Sequence, residues 1–289
     1  MLDLFFYVVI WGFIFGSIYL GFSLGFSIIA GVLRVFHMGY GLFFLTSVYL
    51  TWTFWKMLGF DLWLSIPMAV AVTGLISMVL FPVIRRYLDA EDYLLITLVL
   101  IFLIGEEVIN LIYPIETGVY LPTYIFAETI KLGAISITSQ YIFLSFLSLV
   151  IFVLYIFILK FTKTGLIIRA ISQDLDTSKL FGVNVNLIYA MSLGFAVVAP
   201  AFLVIFYSPL TRLDPFMGFP LFITALQVAV LGGLGNLRGT LIAAYVIGFI
   251  HSAVGFLIDP RAMNLASLIA IIVILLIRPR GLARAESIW

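Results

Sequence analysis

Apolar positions along this chain come in long unbroken runs rather than in alternation. The runs cover residues 4–31, 62–84, 93–113, 141–159, 187–207, 240–258 and 265–277. Most reach the length of about 18 residues or more that a helix needs to cross a ~30 Å hydrocarbon core. Continuous runs of this kind predict spanning helices, because a spanning strand would alternate lipid-facing and interior positions. Two further runs are short and marked by glycine. Residues 39–57 open on Gly39-Tyr40-Gly41, and residues 219–231 run into Gly232-Gly233-Leu234-Gly235-Asn236. If both cross, nine segments result; if both are re-entrant, seven. The expectation is an all-α polytopic membrane bundle of about eight to nine segments, forming a single domain over residues 1–289.

Three polar stretches interrupt the apolar pattern. Residues 114–139 hold Pro114, Gly118, Pro122 and Gly133, and residues 125–137 roughly alternate about Leu132-Gly133, which predicts a small hairpin outside the membrane. Residues 208–215 form a short loop. The third stretch is an island, residues 164–185, TGLIIRAISQDLDTSKLFGVNV. Over residues 166–180, Ile167, Ile171, Leu175 and Lys179 follow i, i+4 steps, with Arg169, Gln173 and Thr177 largely on another face. Gly165 precedes this helix and Gly182 follows it, as a stop would. Periodicity alone fits two roles, a connector lying on the membrane surface or an element that docks a soluble partner.

Composition agrees with a membrane protein: 64% of the 289 residues are hydrophobic and 10% are charged, where a soluble domain carries about a quarter. The amino-terminal run lacks a basic leader and a small-residue cleavage site, and reads as a first membrane helix. The net charge of +1 gives no argument for a nucleic-acid partner, and the absence of cysteine excludes disulfides and thiolate metal sites. The basic residues orient the chain. With the island in the cytoplasm, eleven fall on the cytoplasmic side (Arg34, Arg85, Arg86, Lys160, Lys163, Arg169, Lys179, Arg238, Arg278, Arg280 and Arg284). Four fall outside (Lys56, Lys131, Arg212 and Arg261). The amino terminus is then external and the carboxyl terminus cytoplasmic.

Catalytic signatures are missing. There is no GxxxxGK[ST] loop, no HExxH and no GxSxG, and the two histidines, His37 and His251, are too few and too far apart for a metal site. No cofactor or metal is expected. His251, among Ala and Gly neighbours, reads as a hydrogen-bonded packing residue. Acidic residues within the apolar runs occur at one place, Glu106-Glu107, and intramembrane acids are functional by default. Two readings stay open for this pair: a solvated or bonded position near the outer interface, or a place on the permeation path that would suit an ion-coupled carrier or channel. Gly232-Gly233 likewise reads as a tight turn or as a mobile gate. Gly21 and Gly25 form a small-residue stripe for close helix packing. The paired glycine-interrupted runs are the pattern of a midplane pathway in transporters built from repeats.

Four ordered motifs carry a resemblance. Arg169-Ala170-Ile171-Ser172-Gln173-Asp174 followed by Leu180-Phe181-Gly182-Val183-Asn184-Val185 resembles the cytoplasmic loop of bacterial and archaeal branched-chain amino acid ABC transporter permeases. Met217-Gly218-Phe219, continuing through Val230-Leu231-Gly232-Gly233-Leu234-Gly235-Asn236 to Gly239, is similar to that family's MGF and AVLGGLG segment. Arg278-Pro279-Arg280-Gly281-Leu282 resembles its terminal RPQGL, and Gly31-Val32-Leu33-Arg34-Val35 its GVLRV opening. Of the two permease types, the shorter, LivH-like one fits. One departure is clear: where the family tends to have Asn-Phe-Ala-His-Gly-Glu, this chain has His37-Met38-Gly39-Tyr40-Gly41-Leu42.

The resemblance implies a non-catalytic transport subunit in a prokaryotic inner or plasma membrane. Its partners would be a second, LivM-like permease, two ABC ATPase subunits and an extracytoplasmic substrate-binding protein. The substrate would be Leu, Ile or Val, or a similar small solute such as the urea and short amides that close relatives carry. Residues 164–184 would be the coupling loop, with Gly165, Arg169, Ala170, Gln173, Asp174, Lys179 and Gly182 meeting an ATPase. The translocation pathway would involve His37, Tyr40, Glu106, Glu107, Gln227, Gly232 and Gly233.

Overall fold

The computed structural model describes residues 2–88, 90–113, 119–132, 135–211, 213–279 and 281–283. Pro114, Gly118, Gly133, Arg212, Arg280 and Arg284, all used in the sequence reading, lie outside these residues. Among the described residues, seven segments are helical, long and apolar enough to cross a membrane: 4–32, 62–86, 91–112, 139–161, 185–210, 237–257 and 260–277. The expected count of eight to nine thus meets seven membrane-length helices among the described residues; Gly41–Trp52 and Gly218–Gly232 are shorter apolar helices, of 12 and 15 residues.

Helix α1 (Leu2–Val32) runs through the middle of the bundle. Glycine lets its neighbours approach closely. A side chain on Gly248 would stand 2.6 Å from the Gly16 Cα, so these two backbones touch. Gly21 lies under Leu203 and Ser148, and Gly25 lies against the Ala196 carbonyl. The small-residue stripe thus serves helix packing. Arg34, with φ 56°, turns the chain sharply at the end of α1, and its Nη2 donates to the Ser172 carbonyl at 3.1 Å. That bond puts the end of α1 beside the polar island; this side is called the island face below and the opposite side the far face.

From the island face the chain climbs back without helix to a 3-10 turn at Met38–Tyr40 and then starts α2 (Gly41–Trp52), extended by a wider turn at Thr53–Met57. Helices α3 (Leu62–Val79), α4 (Phe81–Arg86) and α5 (Glu91–Ile112) follow. The hairpin is β1 (Thr129–Leu132) with β2 (Ile135–Thr138), antiparallel, pairing Thr129 with Thr138 and Leu132 with Ile135. It leads into α6 (Ser139–Phe161).

The island folds as α7 (Lys163–Gln173) and α8 (Leu175–Leu180), not as one continuous helix. The cause is local. Asp174 is extended, and its Oδ1 accepts from the Thr177 amide at 3.0 Å, so it ends one helix by capping the next. Helix α9 (Val185–Tyr207) returns to the far face. There Thr123 donates to the Ile205 carbonyl at 2.7 Å and Tyr124 to the Pro209 carbonyl at 3.0 Å. The chain then descends through residues 211–217, Arg212 apart, to start α10 (Gly218–Gly232), which ends at the island face. Helices α11 (Leu237–Leu257) and α12 (Met263–Ile277) complete the bundle.

The two halves are laid out as inverted copies. Helix α1 packs on α11 as α9 packs on α3; α10 packs on α1 and α11 as α2 packs on α9 and α3. Helices α2 and α10 start against each other and run in opposite directions. A side chain on Gly41 would stand 2.8 Å from the Gly218 carbonyl oxygen, and one on Gly218 would stand 2.8 Å from that of Gly41. The 12 residues of α2 and the 15 of α10 span about 18 Å and about 22 Å at ~1.5 Å each, so their junction lies near the middle of a bilayer about 40–45 Å thick with its headgroups.

Candidate functional site

Two places carry the chemistry, the island and the midplane junction. The island is held rigidly from its inner side. Thr162 caps α7, its Oγ1 accepting from the Gly165 amide at 3.1 Å. Any side chain on Gly165 would collide with the Ile158 and Leu159 carbonyls. Ile168, Ile171 and Ser172 are buried, Ser172 sits under Arg34, and Arg169 Nη2 donates to the Lys160 carbonyl at 3.2 Å. The outer side is open. Ala170, Gln173, Asp174, Lys179 and Gly182 are exposed, and so are three large apolar side chains, Leu166 at 60%, Leu180 at 87% and Phe181 at 83%. Gly182, with φ 76°, reverses the chain towards Asn184, whose Oδ1 caps α9 through the Leu187 amide at 3.2 Å.

At their starts α3, α9 and α11 differ from α2 and α10, which meet at the junction, and also from α5, α6 and α12, which have no side-chain cap either. The first three begin with a side-chain cap, from Asp61, Asn184 and Asn236. Helices α2 and α10 begin at Tyr40 and Met217 with no side-chain cap. The Tyr40 amide donates to the His37 carbonyl at 3.1 Å and the Gly41 amide to the Gly39 carbonyl, so the 3-10 turn takes up part of the start of α2, and what both uncapped starts keep is the partial positive charge of a helix amino terminus. Tyr40 is fully buried, donates to the Phe22 carbonyl at 2.9 Å and packs edge-on against Phe26 and Phe44. His37 is buried beside Phe43, and neither of its ring nitrogens has a hydrogen-bond partner.

The remaining pathway residues are not gathered there. Glu106 is buried on α5 with Oε1 unpartnered, whereas Glu107 is exposed on the bare face of the same helix, within 3.5 Å of Asn110 Nδ2. Gln227 faces α12, where its Oε1 accepts from Ser267 Oγ at 3.0 Å and its Nε2 has no partner. Gly232 and Gly233 sit at the island face in a tight turn. Gly232 packs against the Gly239 backbone, Gly233 has φ 93°, and Gly281 lies against Gly233.

One polar chain escaped the sequence reading as a unit. Tyr19 OH lies 2.9 Å from His251 Nδ1, His251 Nε2 lies 3.0 Å from Ser267 Oγ, and Ser267 reaches Gln227. It links α1, α11, α12 and α10. The available signal was His251 itself, a polar side chain in an apolar run.

Membrane-length helices, a polar hairpin of helices anchored at one face and two broken spans meeting at mid-depth define a polytopic membrane permease. A family model described as "Branched-chain amino acid transport system / permease component" matches residues 8–277, and the chain belongs to that family. It is similar to the high-affinity branched-chain amino acid transport system permease protein LivH of Escherichia coli K12, 28% identical over 144 residues, which cover 48% of this chain and 44% of that protein. The chain thus spans less than half the length of that relative in the matched region. Over nearly full length it is similar to the permease BraD of Pseudomonas aeruginosa, 23% identical, covering 92% of each chain. A probable LivH of Methanocaldococcus jannaschii is 23% identical over 91% of this chain and 88% of its own. No solved structure matches the chain.

Proposed function

We propose that this chain forms half of the membrane pathway of an ATP-driven importer, that its substrate is a branched-chain amino acid or a similar small solute, and that α7–α8 is the element through which ATPase subunits drive it. The observation that carries the reading is the two-sidedness of the island. Its inner face is fixed to α1 and α6 through Arg34, Thr162 and Gly165, while its outer face leaves Leu166, Leu180 and Phe181 uncovered by the rest of the chain. Exposed large apolar side chains on a rigid mount suit a protein partner, and a rigid mount passes rigid-body motion inwards. The chain itself contributes no ATP chemistry; hydrolysis belongs to the partners.

On this reading the island face is cytoplasmic, and the amino terminus and the β1–β2 hairpin are external, where a substrate-binding protein delivers its load. A second, LivM-like permease completes the pathway. The uncapped starts of α2 and α10 suit the carboxylate of a zwitterionic substrate, and the surrounding Phe and Leu side chains suit its apolar part. Scrambling residues 166–181 is expected to abolish co-purification with the ATPase and substrate-stimulated hydrolysis. Retention of both, with unchanged uptake, would sink the reading.

A further inference from the structure

A groove of about 590 Å³ lies at the island face between α4 and the start of α9. Arg85 and Arg86 line one side, Asn184 and Asn186 the other, and Phe81 and Leu187 supply apolar wall. We propose that this groove binds the phosphate of an anionic phospholipid headgroup. The inference concerns a site apart from α7–α8 docking and the midplane junction, and does not rest on either.

The groove has donors and, among the described residues, no acidic side chain in its lining. Two exposed guanidiniums carry fixed charge at the end of the span 62–86. Planar guanidinium forks bind phosphate oxygens in pairs. Asn184 Oδ1 is occupied by the Leu187 amide, which leaves its Nδ2 as a donor, and Asn186 is exposed. The start of the 23-residue α9 adds partial positive charge. Phe81 is buried against Tyr189, the ring centroids 6.1 Å apart, and makes a firm floor.

The choice of a lipid over a free phosphate rests on what continues from the groove. Leu187 and Met191 lie one turn apart on the same side of α9, both exposed, and Val79 and Val83 are exposed around the start of α4. This is an apolar track running from the headgroup level into the depth of the membrane along the α3–α9 seam. A phosphate at the arginines places acyl chains along that track. Basic pockets at the ends of spans favour anionic headgroups in this way. Asn184 stands two residues after Gly182, so an occupied groove would also bear on the return leg of the island.

The test uses the full chain, stripped of lipid in detergent, and native mass spectrometry with phosphatidylglycerol or phosphatidylcholine added. The wild type is expected to retain phosphatidylglycerol at least about fivefold better than phosphatidylcholine. The R85Q/R86Q variant should lose that preference and R85K/R86K should keep most of it, which separates charge from misfolding. Millimolar inorganic phosphate should leave the bound lipid in place. Equal retention of the two lipids by the wild type overturns the proposal, as does an unchanged preference in R85Q/R86Q. Displacement by inorganic phosphate would show a free-phosphate site instead. Expulsion of the lipid when the ATPase assembles would show that the groove is a protein interface.

Discussion

The break before α2 and the break before α10 use the same backbone device, yet the half-helices that follow are held by different chemistry. The first is caged by rings: Tyr40 packs with Phe26 and Phe44, Phe22 packs with Phe44, and Phe222 closes on Phe26. The second has Asp214 at its approach, accepting from the Phe216 amide at 2.8 Å, and its helix is tethered through Gln227, Ser267, His251 and Tyr19. Packing is dense but non-directional, whereas hydrogen bonds are directional. Aromatic packing therefore dominates at α2, whereas α10 shares that packing through Phe222 and adds a directional tether through Gln227. Pseudo-symmetry of the backbone does not require symmetry in what holds each half.

Substitutions at four positions probe this contrast. The largest effect is expected for Tyr40→Ala, which empties the aromatic cage; a loss of roughly 3 kcal/mol or more should appear as a lowered thermal midpoint in detergent. Tyr40→Phe should cost no more than about 1 kcal/mol, because only the bond to the Phe22 carbonyl is lost. A similar cost for both variants would mean that the hydroxyl, not the ring, holds α2. Next comes Gly218→Ala, which forces a methyl against the Gly41 carbonyl; about 1–3 kcal/mol of destabilisation is expected, together with impaired uptake. Normal stability and uptake in this variant would show that the two helix starts need no close contact. The smallest effect is expected for Ser267→Ala, which cuts the polar tether between His251 and Gln227. Interhelical hydrogen bonds in membranes average about 0.6 and reach about 1.7 kcal/mol, so a shift within that range is expected. His251→Phe added to Ser267→Ala should then cost little more, since the chain is already broken; full additivity would dissolve the tether as a unit.

Much of this was legible in the sequence because hydropathy reports length directly. The run at residues 93–113 corresponds to Glu91–Ile112 and that at 187–207 to Val185–Tyr207, within two residues at each end. The island was legible for the same reason, as the place where apolar runs stop. The interior breaks were only half legible. Glycine flagged the start of α2, but in the second half it flagged the end of α10, while the mid-depth break lies before Gly218. Composition marks where a helix can stop, not which end lies at mid-depth; that depends on what packs around it. The Asp174 break stayed hidden because an aspartate in a polar helix is unremarkable until its side chain captures the next amide. The polar tether joins residues as far apart as Tyr19 and His251, a separation that no local pattern encodes.

The segment after α12 has a mechanical consequence. The Leu282 amide donates to the Leu231 carbonyl at 2.9 Å, and Gly281 seats against Gly233 at the turn where α10 ends. The last described residues of the chain are thus stitched to the foot of α10, a half-helix buried on the side that packs on α1 and α11 and exposed at Phe219. A tilt of α10 must drag this stitch with it, which makes Leu282 a lever on the half-helix, and a probe placed there would read its angle at the foot.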